Sequence, residues 1–207
     1  SAAIVAGGPV AVTPDAAPDD EAPRRRGVAR DVAEPELLWR RAVDFREAAA
    51  FDPSQYAACA AHFEAVAREL GPEHPRGAEA LFSAARCHEQ GGAVGPALQI
   101  DEALAEKHRD AVLGRSALEA VGRERLALLR FADAAEALET YAARFPNERS
   151  SHSGLRWAAA LRSGLEQYDR ARADLDRLET LSASSPAFAA EVFWSRRALL
   201  PAEYATD

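Results

Sequence analysis

The chain has 207 residues, of which 48% are hydrophobic, 28% charged and 7% aromatic, and its net charge is −8. That balance belongs to a globular protein of one or two domains. The acidity excludes indiscriminate binding to DNA or anionic lipid, and abundant alanine with few aromatics favours close helix–helix contact over a sheet.

Residues 1–33 carry no helical or alternating period. They hold Pro9, Pro14, Pro18 and Pro23, an acidic run Asp19-Asp20-Glu21 and a basic run Arg24-Arg25-Arg26. Such a segment buries too little apolar surface to offset its ordering entropy, so an extended Pro/Ala-rich arm or linker is expected. The opening "SAAIVAGGPVAV" resembles the region after a cleaved export signal. Its apolar run is far shorter than the roughly 20 residues that cross a bilayer, so no membrane span is expected. The chain begins at Ser1 and contains no methionine, which fits processing. An exported protein, periplasmic or extracellular, is the expectation, with a cytoplasmic fragment as the alternative.

Residues 34–207 read as a helical domain. Apolar spacing predicts helices over Pro35–Ala50, Pro53–Leu70, Arg76–Gln90, Val94–Lys107, Arg109–Leu129, Phe131–Arg144, Ser151–Glu166, Tyr168–Leu181 and Pro186–Leu199. The breaks "FDPS", "GPEHP", "GGAVGP", "FPNERS" and "SASSP" supply proline, glycine or capping residues.

The helices repeat. Leu81, Leu118 and Leu155 are 37 residues apart, as are Ala84, Val121 and Ala158, and Ala85, Gly122 and Ala159. In the alternate helices Val94, Phe131 and Tyr168 keep that distance, and so do Ala97, Ala134 and Ala171. An earlier copy starts at Tyr56, one residue out of register, with Cys59 at the alanine position. The small residues allow close helix approach, and stacked pairs bury a stripe that neither helix could bury alone.

Leu118, Val121 and Gly122, followed by Ala134, Leu138 and Pro146, resemble the tetratricopeptide repeat. The likeness covers about Tyr56 to Leu181. It implies an all-α, right-handed superhelical solenoid of antiparallel helix pairs, with the extended arm in front. Three departures stand out. Leucine replaces the Trp of the pattern, His88, Arg125 and Arg162 replace its first Tyr, and Asp101 replaces a large apolar residue. The 37-residue period is longer than usual and is similar to that of bacterial envelope proteins, such as the lipoprotein of the outer-membrane assembly machine.

Cys59 and Cys87 lie at equal distances from Glu73, the centre of the "GPEHP" turn. In an antiparallel hairpin that places them side by side, so a disulfide is one expectation. In an oxidising compartment it would close a loop worth roughly 3 kcal/mol. The alternatives are two free, small buried residues at tight contacts, or a metal site from Cys59, His62, Cys87 and His88. The metal site has no short ligand spacing to support it.

No phosphate-binding glycine loop, Gly-x-Ser-x-Gly elbow or His-Glu-x-x-His is present, and "HRD" at His108–Asp110 lacks the rest of a kinase loop. No enzyme activity, cofactor or nucleic-acid partner is expected.

The repeat resemblance implies that the first helix of each pair lines a concave surface. It places Phe82 and Arg86, then Glu119, Arg123 and Leu126, then Arg156 and Ala160 there, with Glu79, Ser116 and Ser153 beside them. Arginine forks suit carboxylates, so a groove gripping a peptide with acidic residues is expected. The alternative is that these arginines pair with Glu79, Glu89 and Glu119. A scaffold for a protein partner follows. A second function is a self-assembling structural subunit, in which copies join through Ile4, Val5, Val10 and Val12 of the arm and Phe193 and Trp194 of the last helix. That helix also carries Phe188, Val192, Leu199 and Leu200, a large apolar load for a terminal element. A homo-oligomer belongs to this reading.

Overall fold

A computed structural model describes residues 33–71, 74–182, 186–202 and 204. The arm residues Ile4, Val5, Val10 and Val12 lie outside them. Along the described residues run α1 (Ala33–Ala49), α2 (Tyr56–Leu70), α3 (Pro75–Gln90), α4 (Val94–Lys107), α5 (Val112–Ala127), α6 (Phe131–Arg144), α7 (Arg149–Gly164), α8 (Tyr168–Ser182) and α9 (Pro186–Leu199). Each helix packs on the next, α3 also meets α5, and α7 meets α9. This is the contact pattern of an α-solenoid. The pairs are α1–α2, α3–α4, α5–α6 and α7–α8, and α9 stands as the first helix of a further pair.

The elements follow the expected spans with two physical differences. The segment expected as one helix from Pro53 opens as a 3₁₀ turn, Pro53–Gln55, before α2. Asp52 caps that turn by accepting from the Ser54 amide at 3.1 Å. The helix expected over Arg109–Leu129 is shorter at both ends. His108–Ala111 forms a turn closed by the Ala111 amide on the His108 carbonyl, and Leu129 has φ 59°.

That φ belongs to a series. Gly92 (φ 79°), Leu129 (φ 59°) and Glu166 (φ 59°) are 37 residues apart, each ending the first helix of a pair. The next amide in each turn, on Ala93, Arg130 or Gln167, donates to the carbonyl of His88, Arg125 or Arg162. The left-handed conformation is natural for Gly92 and strained for the other two. Leu129 is exposed and packs on little. Leu129→Gly should therefore stabilise the protein by about 1 kcal/mol, read from the urea midpoint. An unchanged midpoint would remove the strain argument.

A second series closes the turns between pairs. Gly77, Gly114 and Ser151 are 37 apart, facing the carbonyls of Gly71, His108 and Phe145. A Cβ on Gly77 would lie 2.4 Å from the Gly71 oxygen, and on Gly114 2.0 Å from the His108 oxygen. At the third turn the Ser151 hydroxyl donates to the Phe145 carbonyl. The first two turns leave no room for a Cβ beneath that carbonyl, whereas the third admits Ser151 and bonds its hydroxyl.

The core repeats too. Ala84, Ala85, Ala117, Val121, Leu155, Ala158 and Ala159 are buried on the first helices, with Ala97, Ala134, Ala171 and Leu175 facing them. A Cβ on Gly122 would meet Leu138 Cδ2 at 2.8 Å, so the glycine seats the leucine. At the N-terminal end Trp39 packs edge-on against Phe63 at 5.5 Å. Large side chains facing small ones give the dense interior that burying apolar area rewards.

The departures at the Tyr position form a third series. His88, Arg125 and Arg162, on α3, α5 and α7, each reach back to an acid on the preceding pair. His88 contacts Glu64 at 2.7 Å. Arg125 grips Glu102 through Nε at 3.2 Å and Nη2 at 2.8 Å, and Arg162 grips Glu139 at 2.6 and 3.0 Å. On α9, Arg196 holds Asp176 at 2.5 Å and Glu179 at 2.8 Å. Each of these joints between successive pairs thus carries a contact from a basic side chain to a carboxylate, and those of Arg125 and Arg162 are forked.

Candidate functional site

The first helices α3, α5, α7 and α9 form one face, and α9 lengthens it beyond the expected residues. Val192 is 37 residues after Leu155 and is buried like it. Phe193 therefore continues the column Phe82–Glu119–Arg156, and Arg197 continues Arg86–Arg123–Ala160. Trp157 and Trp194 form a third column, one repeat apart.

The two halves of this face differ. At its α3–α5 end the side chains are engaged within the chain. The Phe82 ring lies 5.1 Å from the Arg86 guanidinium carbon. Arg86 turns inward and contacts Asp101, Glu124 and Glu89, the Glu124 contact being 3.1 Å. Arg123 approaches Glu89 at 3.6 Å and keeps an exposed head. Glu119 accepts from the Ser150 hydroxyl at 3.0 Å, and Leu126 is half-buried. Of the pairings weighed from the sequence, Glu89 takes part. Asp101 and Glu124 do so as well, although nothing in the sequence pattern matches them to Arg86.

Asp101 and Glu124 are both buried. Burial pushes the Asp101 carboxyl up to about 8, with Arg86 pulling the other way and Glu124 adding to the rise. Burial likewise raises Glu124, opposed by its contacts with Asp101 and Arg86.

At the α7–α9 end the aromatic side chains are open: Trp157 is 54% exposed, Phe193 53% and Trp194 66%. Phe193 and Trp194 meet edge-on at 5.3 Å, and Arg197 lies 5.9 Å over the Phe193 ring. Arg156 is half-exposed and pairs with Glu191 across α7 and α9. It also joins two clefts. One, of about 340 Å³, is lined by Trp157, Ala160, Ser195, Ala198 and Leu199. The other, of about 390 Å³, is lined by Arg149, Ser150, His152, Ser153, Leu178 and Glu191. Indole faces, aliphatic carbons and guanidinium forks recognise apolar side chains and carboxylates. Glu79, Ser116 and Ser153 lie on this face, with Glu79 and Ser153 exposed.

The two cysteines are bonded to each other, Cys59 of α2 to Cys87 of α3, with Cα atoms 6.0 Å apart. The histidines weighed as metal ligands are engaged elsewhere: His62 stacks on Phe45 at 4.5 Å, and His88 holds Glu64. No described helix is long and apolar enough to cross a membrane.

Sequence reasoning misses Trp157, whose signal is the 37-residue spacing to Trp194. It marks Asp101 as a departure but places the partner, Arg86, on the open face.

No family model matches the chain, and no curated protein matches it. Solved structures do. A kinesin light chain from Podosopora anserina with nearly identical tetratricopeptide-like repeats overlays with TM-score 0.58 at 18% identity, covering 79% of this chain and 87% of that one. A second structure of that protein, a single-residue variant, overlays equally, at 17% identity and the same coverage. A tetratricopeptide protein of Thermus thermophilus overlays at TM-score 0.44, with 19% identity over 83% and 86% of the two chains. Repeat spacing, the order of helix contacts and the kinesin light chain overlay agree: the chain folds as a tetratricopeptide-like α-solenoid.

Proposed function

We propose that this protein is a non-enzymatic scaffold that holds a protein partner on the concave face of its first helices. The observation that supports this best is the open aromatic and arginine surface over α7 and α9. Three aromatic side chains more than half exposed, spread over two successive repeats and rimmed by Arg156 and Arg197, are costly to leave in water without use. The partner is a peptide or protein segment with apolar anchors and acidic residues. Phe82, Arg86, Glu119, Arg123 and Leu126 form the continuation of the same face toward α3. The Cys59–Cys87 bond supports an oxidising compartment, and with the repeat length it favours the bacterial envelope or periplasm.

The test is selection from a displayed peptide library on the full chain, followed by titration of the selected peptides. Trp157→Ala and Arg156→Ala should each weaken binding by about tenfold or more, since aromatic and arginine anchors dominate such interfaces. Selected peptides that bind both variants as tightly as the parent would overturn this location.

The self-assembling subunit is the second reading, favoured by the exposed Phe193 and Trp194 on α9. It predicts large species in light scattering that Phe193→Ala with Trp194→Ala abolishes. A monomer at all concentrations removes it.

A further inference from the structure

The joint between the second and third helix pairs is unlike its neighbours. Asp101 on α4 occupies the position that Leu138 and Leu175 fill one and two repeats later. Glu124 on α5 occupies the position of Cys87 and Leu161. Two apolar positions have thus become two carboxyls, and both are fully buried. Asp101 Oδ1, Glu124 Oε2 and Arg86 Nε lie buried with no hydrogen-bond partner. A buried cluster of this kind stabilises less than leucine packing at the same place.

The charges around the pair come from two helices. From α3 they are Arg86 and Glu89, and from α5 Arg123 beside Glu124 itself. The acids of α6, packed on the far side of α5, are turned elsewhere. Asp133 holds Arg130, Glu139 holds Arg162, and Glu136 is exposed. The cluster therefore sets three carboxylates, Glu89, Asp101 and Glu124, against two guanidiniums, Arg86 and Arg123. One proton shared between Asp101 and Glu124 brings the sum to zero. It also turns one carboxyl into a donor to the other.

We propose that the Asp101–Glu124–Arg86 cluster is a proton-operated joint. It stays closed while the two carboxyls hold one proton between them, and it loosens when that proton leaves. Loss of the proton leaves an unbalanced carboxylate between α3, α4 and α5, and water must enter to solvate it. Arg86 links the cluster to the first-helix face, because its guanidinium also lies against Phe82. Opening the joint re-aims Arg86 and Phe82 together, which couples pH to the scaffold surface proposed above. The joint itself rests on none of that reading, because it is tested without a partner.

The sign follows from linkage. The Asp101 carboxyl lies at about 8 in the folded chain and at 3.8 unperturbed. The folded state therefore keeps a proton that the unfolded chain has released. Stability falls as pH rises from about 4 to about 8 and then levels off. Asp174, raised to about 7 on α8, adds a similar slope elsewhere, so a global melt cannot isolate the joint.

The experiment is hydrogen exchange by mass spectrometry on the full chain at about pH 6 and about pH 9, corrected for intrinsic rates. Parent and Asp101→Asn are compared helix by helix. In the parent, protection of α4 and α5 should fall by about tenfold or more between the two pH values. In Asp101→Asn it should change less than about twofold. If that variant does not fold, Glu124→Gln must show the same flattening, since it removes the other charge of the pair. Equal pH dependence in the parent and the variant that folds, or a parent with no local loss at α4 and α5, overturns the proposal. Failed binding by the selected peptides, with the exchange result intact, overturns the scaffold reading alone.

Discussion

Replacing Arg162 with alanine should destabilise the protein by about 3–5 kcal/mol, the largest effect expected of any single charged residue here. Arg162 is the most bulky fully buried side chain of the described residues, at 1% exposure. Its guanidinium binds Glu139 through two nitrogens and the Gln167 amide oxygen through a third, at 2.8 Å. The hydrogen bond with Glu139 raises its own already high pKa, against the effect of burial. Asp174, buried with one oxygen unpartnered, also depends on this cation. Burial pushes the Asp174 carboxyl up to about 7, Glu139 adds to the rise, and Arg162 opposes it. Without the arginine, Glu139 loses its forked partner and Asp174 keeps only the weaker pull of Arg177 and Arg170. Arg162→Lys should recover less than half of the loss, because an ammonium cannot form the fork. Arg125 makes the same clamp with a more exposed head, so Arg125→Ala should lose only about 1 kcal/mol. Urea denaturation of the three variants reads these values. An Arg162→Ala midpoint within error of the parent would mean that the clamps are surface ornament.

The helices and their order were legible because the signal is local and is repeated. Apolar and small residues recur every helical turn, and each helix pair restates the previous one at 37 residues. Averaging over copies cancels the ambiguity of any single helix. The ends of α5 were harder. The residue that stops it, Leu129, has no propensity for φ > 0, and only its alignment with Gly92 reveals the turn. Gly77, Gly114 and Ser151 were equally invisible one at a time. The clamps were half-legible. His88, Arg125 and Arg162 stood out as departures, but their acids lie 23 or 24 residues upstream, beyond the reach of a helical-face argument.

The candidate site was legible as a face and not as contacts. The column of Arg86 points to the open groove. An arginine stem is long enough to turn toward the next helix instead, and two buried carboxylates draw it inward. Nothing local to Arg86 announces that choice. It depends on Asp101 and Glu124, which lie 15 and 38 residues away. Trp157 escapes notice because the face is counted on the columns one and five residues past the leading leucine. Its own column is two residues past it, and becomes aromatic only at α7 and α9.

The Cys59–Cys87 bond is the second large effect. Replacing both cysteines with alanine should cost roughly 3–4 kcal/mol, from a closed loop of 28 residues. At Cys59 alanine is the apt choice, because Ala97, Ala134 and Ala171 stand at its position in the later copies. The loss should also be localised. The joint between α2 and α3 has His88 on Glu64 where the joints at α5 and α7 have a forked arginine. The disulfide therefore crosses the joint whose contact comes from a histidine and not from an arginine. Without it, α1 and α2 should exchange amide hydrogen ahead of α5 to α8. Both cysteines are buried, at 0% and 1% exposure, so a thiol reductant should act only on opened chains. A reductant added to native protein should leave the structure unchanged over minutes, while the same reductant in urea should lower the midpoint to that of the double variant. If the double variant unfolds at the parent midpoint with its first two helices still protected, helix packing alone holds that joint, and the bond does not bear on the fold.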